Sequence, residues 1–388
     1  MEALCGPNRT GLSKGILFMK VLHFYKTFSP QAFGGTEMSI RQLCYASKHL
    51  DVSNSILSLS PHPTDVIETD AYTAYQAKEH INIASNAISF SVFKKFKELA
   101  TASDIIHYHF PWPFMDIVHL LSGIKKPTLV TYESDIVRQK LFMPLYRPLM
   151  HRFLEDVDHI VATSPNYLKT SKVLQCYQHK TSVIPIGLDK NTYPTPTRAA
   201  LEKWQQTFQK PFFLFVGVMR HYKGLHILLD AAKNTDLPIV ILGSGPVEMV
   251  LKEQAKQLQL KHVFFLGVLP EEDKVALLSL CYAIVFPSHL RSEAFGISLL
   301  EGAMFGKPLI SSEIGTGTSY INIHKETGYV VPPSNPEALR KAMQDLYDNK
   351  LLAEQMGKNA EIRYQTLFTA DKMASAYYAL YQKLINIL

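Results

Sequence analysis

The stretch that most constrains this chain runs from Cys281 to Ala303, where the apolar segment CYAIVFPS is followed closely by SEAFGISLLEGA. A short, unbroken apolar run suits a strand buried on both faces, and the apolar period after Gly296 suits a helix. Strand, polar loop and helix together make the βα turn of a doubly wound α/β sheet. In such a sheet the helix starts at the carboxyl edge of the strands, and the unpaired backbone N–H groups of Gly296, Ile297 and Ser298 there attract an anion. The turn is therefore expected to hold a phosphate or sugar hydroxyls, with Phe295 and Gly296 as its hinge. Glu293 and Glu301 flank it, eight residues apart. With Glu301 two turns inside the helix, the carboxylates lie about 10–12 Å apart at about 1.5 Å per residue. That span suits one ligand held at two points, whereas a retaining hydrolase needs a pair roughly 5 Å apart. The same spacing also describes two solvated helix glutamates.

The strand–helix alternation recurs along the chain. KVLHFY opens a strand near Met19 and leads to FSPQAFGGTEMSIRQL, where Gly34 and Gly35 precede a helix starting near Thr36. Paired glycines let backbone approach a ligand closely, or make an ordinary tight turn. Further strands are expected at 53–60, near Ile81 to Ala84, and at 104–110, 127–132, 158–163 and 182–189. Beyond them lie PFFLFVG, LPIVILGSGP and HVFFLG. Such alternation predicts mostly parallel sheets. A length of 388 residues suits two domains. Residues 1–18 are expected to be a leader, 19–190 the first domain and 191–365 the second, with NTYPTPTRAA as the hinge.

Several side chains stand out. Arg220 and Lys223 precede a helix expected near Gly224, so two cations and a helix start converge on one anion site. His107 and His109 share one face of a strand, as a metal pair or as cleft-wall or core histidines; no third ligand lies nearby in sequence. Asp156 and Asp158 precede a strand, the wrong edge for a ligand, and are expected to be structural. Between Arg138 and Phe153, the cations Arg138, Lys140, Arg147 and Arg152 interleave with Leu141, Phe142, Leu145, Tyr146 and Leu149, and Pro144 and Pro148 are expected to break the run into short turns. This composition, with FKKFKEL at 93–99, suits either an anionic membrane surface or a half-buried helix with a solvated basic side.

Composition narrows the classes. The chain is 47% hydrophobic and 19% charged, with a formal net charge of +6. No nucleic-acid recognition motif accompanies that charge. Four scattered cysteines without a CxxC indicate neither a disulfide framework nor a thiolate metal site, and point to a reducing, cytoplasmic compartment. No apolar run approaches the roughly 20 residues of a spanning helix.

SEAFGISLLEGA resembles the E-x7-E signature of family 4 of the retaining, nucleotide-sugar-dependent glycosyltransferases, and the resemblance extends over nearly everything after Met19. It implies the GT-B fold: two Rossmann-like domains facing a cleft, the first for the acceptor, the second for the donor, and a C-terminal helix, here from about residue 366, crossing back to the first. It implies that Glu293 faces the transferred sugar and Glu301 the ribose. Lys223 and, displaced by two residues because Val218 stands at the usual arginine position, Arg220 embrace the diphosphate. Gly35 lies against the donor or acceptor, and Gly267, Val268 and Leu269 touch the nucleobase. Phe295, Gly296 and Ile297 complete the donor site. The family commonly has a histidine where this chain has Glu133, and a glutamate is not expected to donate a hydrogen bond as an imidazolium does. No metal or other cofactor is implied. TYESDIVRQK, SHLRSEAFGISLLEGA and EIGTGTSYIN are most similar to bacterial mannosyltransferases that build O-antigen or related polysaccharide, implying GDP-mannose as donor, a lipid-diphosphate-linked glycan as acceptor and peripheral contact with the inner membrane. A UDP-sugar transferase, a GT-B epimerase and a noncatalytic nucleotide-sugar-binding protein are the alternatives.

Overall fold

A computed structural model of the chain describes residues 18–28, 34–64, 66–83, 86–136 and 143–386. The leader up to residue 17, Ala84, and Arg138, Lys140, Leu141 and Phe142 of the basic stretch lie outside the described residues.

Two mainly parallel sheets carry the fold. Across the first, the strands run in the order Thr181–Val183, His159–Ala162, Thr128–Tyr132, Ile105–Phe110, Met19–Phe24, Val52–Ser60, Tyr72–Lys78 and Ile67–Glu68, the last antiparallel. Across the second they run Val263–Gly267, Ile239–Leu242, Phe213–Val216, Ala283–Phe286, Leu309–Ser312 and Gly328–Val331, all parallel. The second order reverses direction once, beside Phe213–Val216, and the first, apart from its antiparallel edge strand Ile67–Glu68, once beside Met19–Phe24. At such a switch point the loops on either side part and leave a crevice beyond the strand ends. The central strands AIVF and IIHYHF are buried along their whole length, which is why they lack an in–out alternation.

Two local expectations are corrected. Ile81–Ile83 is a strand, but among the described residues it pairs only with Asn86–Ile88 in a separate antiparallel hairpin, since three exposed residues offer the main sheet no apolar face. Met143–Asp156 is one helix despite Pro144 and Pro148. Pro144 falls in the first turn, where its missing N–H is no loss, and Met150, Phe153 and Leu154 bury the other end strongly enough to offset the bond that Pro148 cannot make. Asp158 accepts bonds from the backbone and side chain of Thr128, both at 2.7 Å, and Asp156 meets His119 at 2.9 Å, so this pair is structural.

The chain ends in two helices, Lys350–Leu367 and Ala370–Ile385. Between them, Phe368 to Ala370 run beside Leu188: Leu188 N–H donates to Phe368 O at 2.9 Å and Ala370 N–H to Leu188 O at 3.0 Å. The last helix thereby crosses back to the first sheet. Its Tyr381 and Tyr377 hydroxyls reach His107 Nδ1 and Thr131 Oγ1, each at 2.7 Å.

Candidate active site

The signature helix, Ile297–Met304, begins at the switch point of the second sheet. Gly296 enters it at φ +102°, a conformation that disfavours a side chain. Ser298 Oγ donates to Val216 O at 2.7 Å, fixing the helix start against the end of the neighbouring strand. Across the cleft, a Cβ on Gly35 would stand 3.8 Å from the Ile297 side chain, so the two glycine-led helix starts face each other.

Lys223 and Glu293 meet here at 2.5 Å, Glu293 buried and Lys223 half-buried, with Ser288 Oγ donating to the same carboxylate at 3.0 Å. Lys223 Nζ also stands 4.7 Å from the centre of the Phe286 ring, which favours its charge. Arg220 is exposed, beyond the buried Met219. It lies near the first domain, because its charge acts on Tyr25 and Lys26. The helix that follows starts at Leu225.

Glu301 lies one turn inside its helix, four residues after the first, not two turns. It is buried, and its Oε1 accepts from Tyr193 OH at 3.0 Å and Lys274 Nζ at 2.9 Å. Burial works against the Lys274 charge, but Glu301 and Glu271 outweigh it and hold that ammonium above its ordinary value. Gly267 adopts φ +69° with open space where a Cβ would be, Val268 is exposed and Leu269 half-buried, so this backbone is accessible at the strand's carboxyl end. Phe295 is buried against Gly317, whose missing side chain lets the two loops touch.

On the opposite wall, Glu133 ends a chain of buried polar contacts that starts at Asn54. Asn54 Nδ2 donates to Ser47 Oγ at 3.0 Å and Ala71 O at 3.3 Å, leaving Oδ1 to accept from His23 Nε2 at 3.2 Å. His23 Nδ1 must then accept from His109 Nε2, 3.2 Å away. Burial, with His109 adding to it at His23, holds both imidazoles down at about 3, so His109 is neutral and its Nδ1 carries a lone pair. That lone pair faces Glu133 Oε1 at 3.5 Å, and neither atom has a hydrogen-bond partner among the described residues. A carboxylate there would be repelled, whereas a carboxylic acid fits. Burial, and then the nearby Glu37, push Glu133 up to about 8. The glutamate in place of the family's histidine is therefore protonated at neutral pH and able to donate a hydrogen bond, contrary to the sequence expectation. The structure also brings His23 to the His107–His109 pair. His107 is fully engaged, by Tyr381 and by Thr131 Oγ1 at 2.7 Å, so the three serve as a hydrogen-bonded wall.

Three further cleft residues escaped the sequence. Glu37 accepts from Thr27 Oγ1 at 2.6 Å and its charge acts on Tyr25, Lys26 and Glu133; an acid in a first helical turn is too ordinary to single out. Arg291 and Asp135 pair across the cleft at 3.2 Å, and Arg291 also donates to Thr170 Oγ1 at 2.8 Å and Gly315 O at 3.0 Å.

Residues 33–192 match Glycosyltransferase Family 4, and residues 198–363 match Glycosyl transferases group 1. The chain is 59% identical over 354 residues to the D-rhamnosyltransferase WbpZ of Pseudomonas aeruginosa, covering 91% of this chain and 93% of that one. The chain belongs to this glycosyltransferase family. It is also 47% identical over 369 residues to the O-antigen chain mannosyltransferase C of Escherichia coli, covering 95% and 99% of the two. Among solved structures, sucrose-phosphate synthase from Thermosynechococcus elongatus superposes with a TM-score of 0.78 at 23% identity, over 95% of this chain and all of the other. Anabaena HepE, solved with UDP and glucose, gives 0.76 at 17% over 94% of this chain and all of the other. These likenesses agree with the GT-B fold. As a family member the chain is a glycosyltransferase. No helix among the described residues is long and apolar enough to cross a membrane.

Proposed function

We propose that this enzyme transfers a manno-configured hexose from a GDP-sugar to a lipid-diphosphate-linked glycan during O-antigen or related polysaccharide synthesis. The observation that carries it is the Lys223–Glu293 pair at the helix start of the switch point, in a chain with two relatives, matched over more than nine-tenths of its length, that are named for transferring D-rhamnose and mannose. D-Rhamnose is 6-deoxymannose, so the two sugars differ only at C6.

In this reading, Lys223, Arg220 and the N–H groups after Gly296 stabilise the charge that grows on the departing diphosphate. Glu293 faces the sugar. Glu301, steadied by Tyr193 and Lys274, anchors the ribose, and the backbone at Gly267, Val268 and Leu269 meets the base. The bond from the anomeric carbon to the diphosphate breaks as one to the acceptor oxygen forms on the same face, and the acceptor's proton leaves with the diphosphate. Glu133, as a neutral acid, donates a hydrogen bond to a sugar or acceptor hydroxyl. No metal takes part in this step. Exposed Leu145, Arg147 and Arg152 on the Met143–Asp156 helix suit contact with the anionic cytoplasmic face of a membrane. The helix Val92–Ala102 fits the half-buried alternative better, with Phe96 and Leu99 buried and Lys94 and Lys97 solvated.

The test is a donor screen with the purified full chain and polyprenyl-diphosphate-GlcNAc. Transfer from GDP-mannose or GDP-D-rhamnose supports the reading and ranks the two donors. Transfer from UDP-glucose or UDP-GlcNAc alone overturns it.

A further inference from the structure

Beside the Lys223 turn, three imidazoles come together. His221 and His226 flank the turn, and His289 follows the strand Ala283–Phe286. One ring nitrogen from each lies within 4.8 Å of those from the other two. Their ring centroids form a nearly equilateral triangle with sides of 4.9, 5.1 and 5.1 Å. A tetrahedral ion held at about 2.1 Å by three imidazole nitrogens sets the ring centroids roughly 5 Å apart, as here, and requires the nitrogens to close from within 4.8 Å to about 3.4 Å of one another.

We propose that His221, His226 and His289 bind a divalent transition-metal ion of the zinc class and that this ion clamps together the two loops that carry Lys223 and Glu293. Three neutral nitrogen ligands select such an ion over Mg²⁺ or Ca²⁺, which require oxygen. The backbone beneath is rigid. His289 N–H donates to Tyr222 O at 3.0 Å, and Gly224 packs so closely on the Pro287 carbonyl that a Cβ would collide with it. The three rings therefore reach tetrahedral geometry by side-chain rotation alone, which the exposure of His221 permits. Asp230 follows His226 by one helical turn and its charge acts on that ring, which places a carboxylate where ligand histidines commonly have an outer-shell partner. The buried His23–His107–His109 group offers no comparable site, because its nitrogens are engaged in hydrogen bonds and in the contact with Glu133.

The site is tested on the full chain, freed of any histidine tag, by titrating Zn²⁺ against a chromophoric chelator and Co²⁺ by its visible spectrum, without nucleotide. One equivalent is expected, with the intense d–d bands of tetrahedral Co²⁺, and zinc raises the melting temperature. His226→Ala and His289→Gln each weaken binding by more than about 100-fold, beyond the roughly 10–100-fold that losing an outer-shell partner costs, and abolish the zinc-induced thermal shift. His49→Ala, at an exposed site elsewhere, changes nothing. Unchanged stoichiometry and affinity in the folded His221→Ala/His289→Gln double variant, or no saturable binding by the wild type, overturns the proposal. Because no sugar donor is used, the result stands apart from the donor screen.

Discussion

Replacing Glu133 by glutamine tests whether the cleft wall holds a protonated carboxyl. The side chain faces His109 from the neighbouring strand, Glu37 from the helix after Gly35, and Tyr377 from the terminal helix, with Tyr25 nearby. Its pKa rises from 4.5 to about 8 on folding. Below 4.5 the group is neutral in both folded and unfolded chains and costs nothing. As pH rises toward 8 the unfolded chain gives up the proton and the folded one keeps it, so folding loses stability through that window and levels off above it. At about 1.36 kcal/mol per pH unit, the loss between pH 5 and pH 7 is roughly 2–3 kcal/mol. Glutamine has the same shape, and its amide N–H donates to His109 Nδ1 at every pH. Urea midpoints for wild type and Glu133→Gln should therefore be close at pH 4.5 and diverge as pH rises, with the variant the more stable. Sugar transfer by wild type should fall as pH passes about 8, while the variant lacks that limb. A stability difference that is flat with pH, or one that favours wild type at pH 8, would refute the protonated carboxyl.

Other perturbations address separate parts of the cleft. Lys223→Ala removes the partner of Glu293 and should lower kcat/KM by about 100-fold or more, as loss of one charge-stabilising donor does; steady-state transfer kinetics measure it. Tyr381→Phe deletes the hydroxyl at His107 Nδ1 and should cost about 1 kcal/mol or more in thermal stability, with KM for donor unchanged. Gly224→Ala forces a methyl group onto the Pro287 carbonyl at φ +71° and should lower the melting temperature more than an exposed Gly→Ala change, by several degrees. Glu301→Gln leaves Lys274 with one carboxylate fewer and should raise KM for the nucleotide sugar more than it lowers kcat, seen by varying donor at saturating acceptor.

The parts of this fold that local chemistry dictates were legible. The unbroken apolar runs mark the central strands, and Gly35 and Gly296 mark the helix starts that face each other over the cleft. What escaped depends on register between distant strands. His23 lies beside His107 only because Met19–Phe24 pairs with Ile105–Phe110 in that alignment, and nothing in HFYK announces it. The same holds for Lys274 and Tyr193, which come to Glu301 from separate elements. Pro148 misled for a different reason: local propensity forbids it in a helix, while burial two to six residues away decides the matter. The replacement at Glu133 was visible as an identity but not as a charge state, because the protonation follows from burial and from Glu37, with Asn54, His23 and His109 in series turning a lone pair toward it.

Arg291 and Asp135 show how the two walls are brought into register. Each stands two residues from a glutamate proposed to act on the sugar or acceptor: Asp135 follows Glu133, and Arg291 precedes Glu293. Closing the 3.2 Å ion pair therefore sets the spacing between the two glutamates as well as between the domains. Asp135 is held in place by Tyr132 OH at 3.0 Å and Ser171 Oγ at 2.7 Å, and Arg291 by the Gly315 carbonyl, so neither end has to be ordered when the cleft shuts. The pair keeps some access to water on both sides, and such ion pairs contribute only about 0–1 kcal/mol. That is enough to bias closure and too little to trap the diphosphate product. An Arg291→Ala enzyme should therefore bind nucleotide nearly as well as wild type, yet transfer sugar more slowly and hydrolyse more donor per transfer, because water enters a cleft that closes less often. If Arg291→Ala left the ratio of hydrolysis to transfer unchanged while weakening nucleotide binding, the pair would belong to the donor site and not to closure.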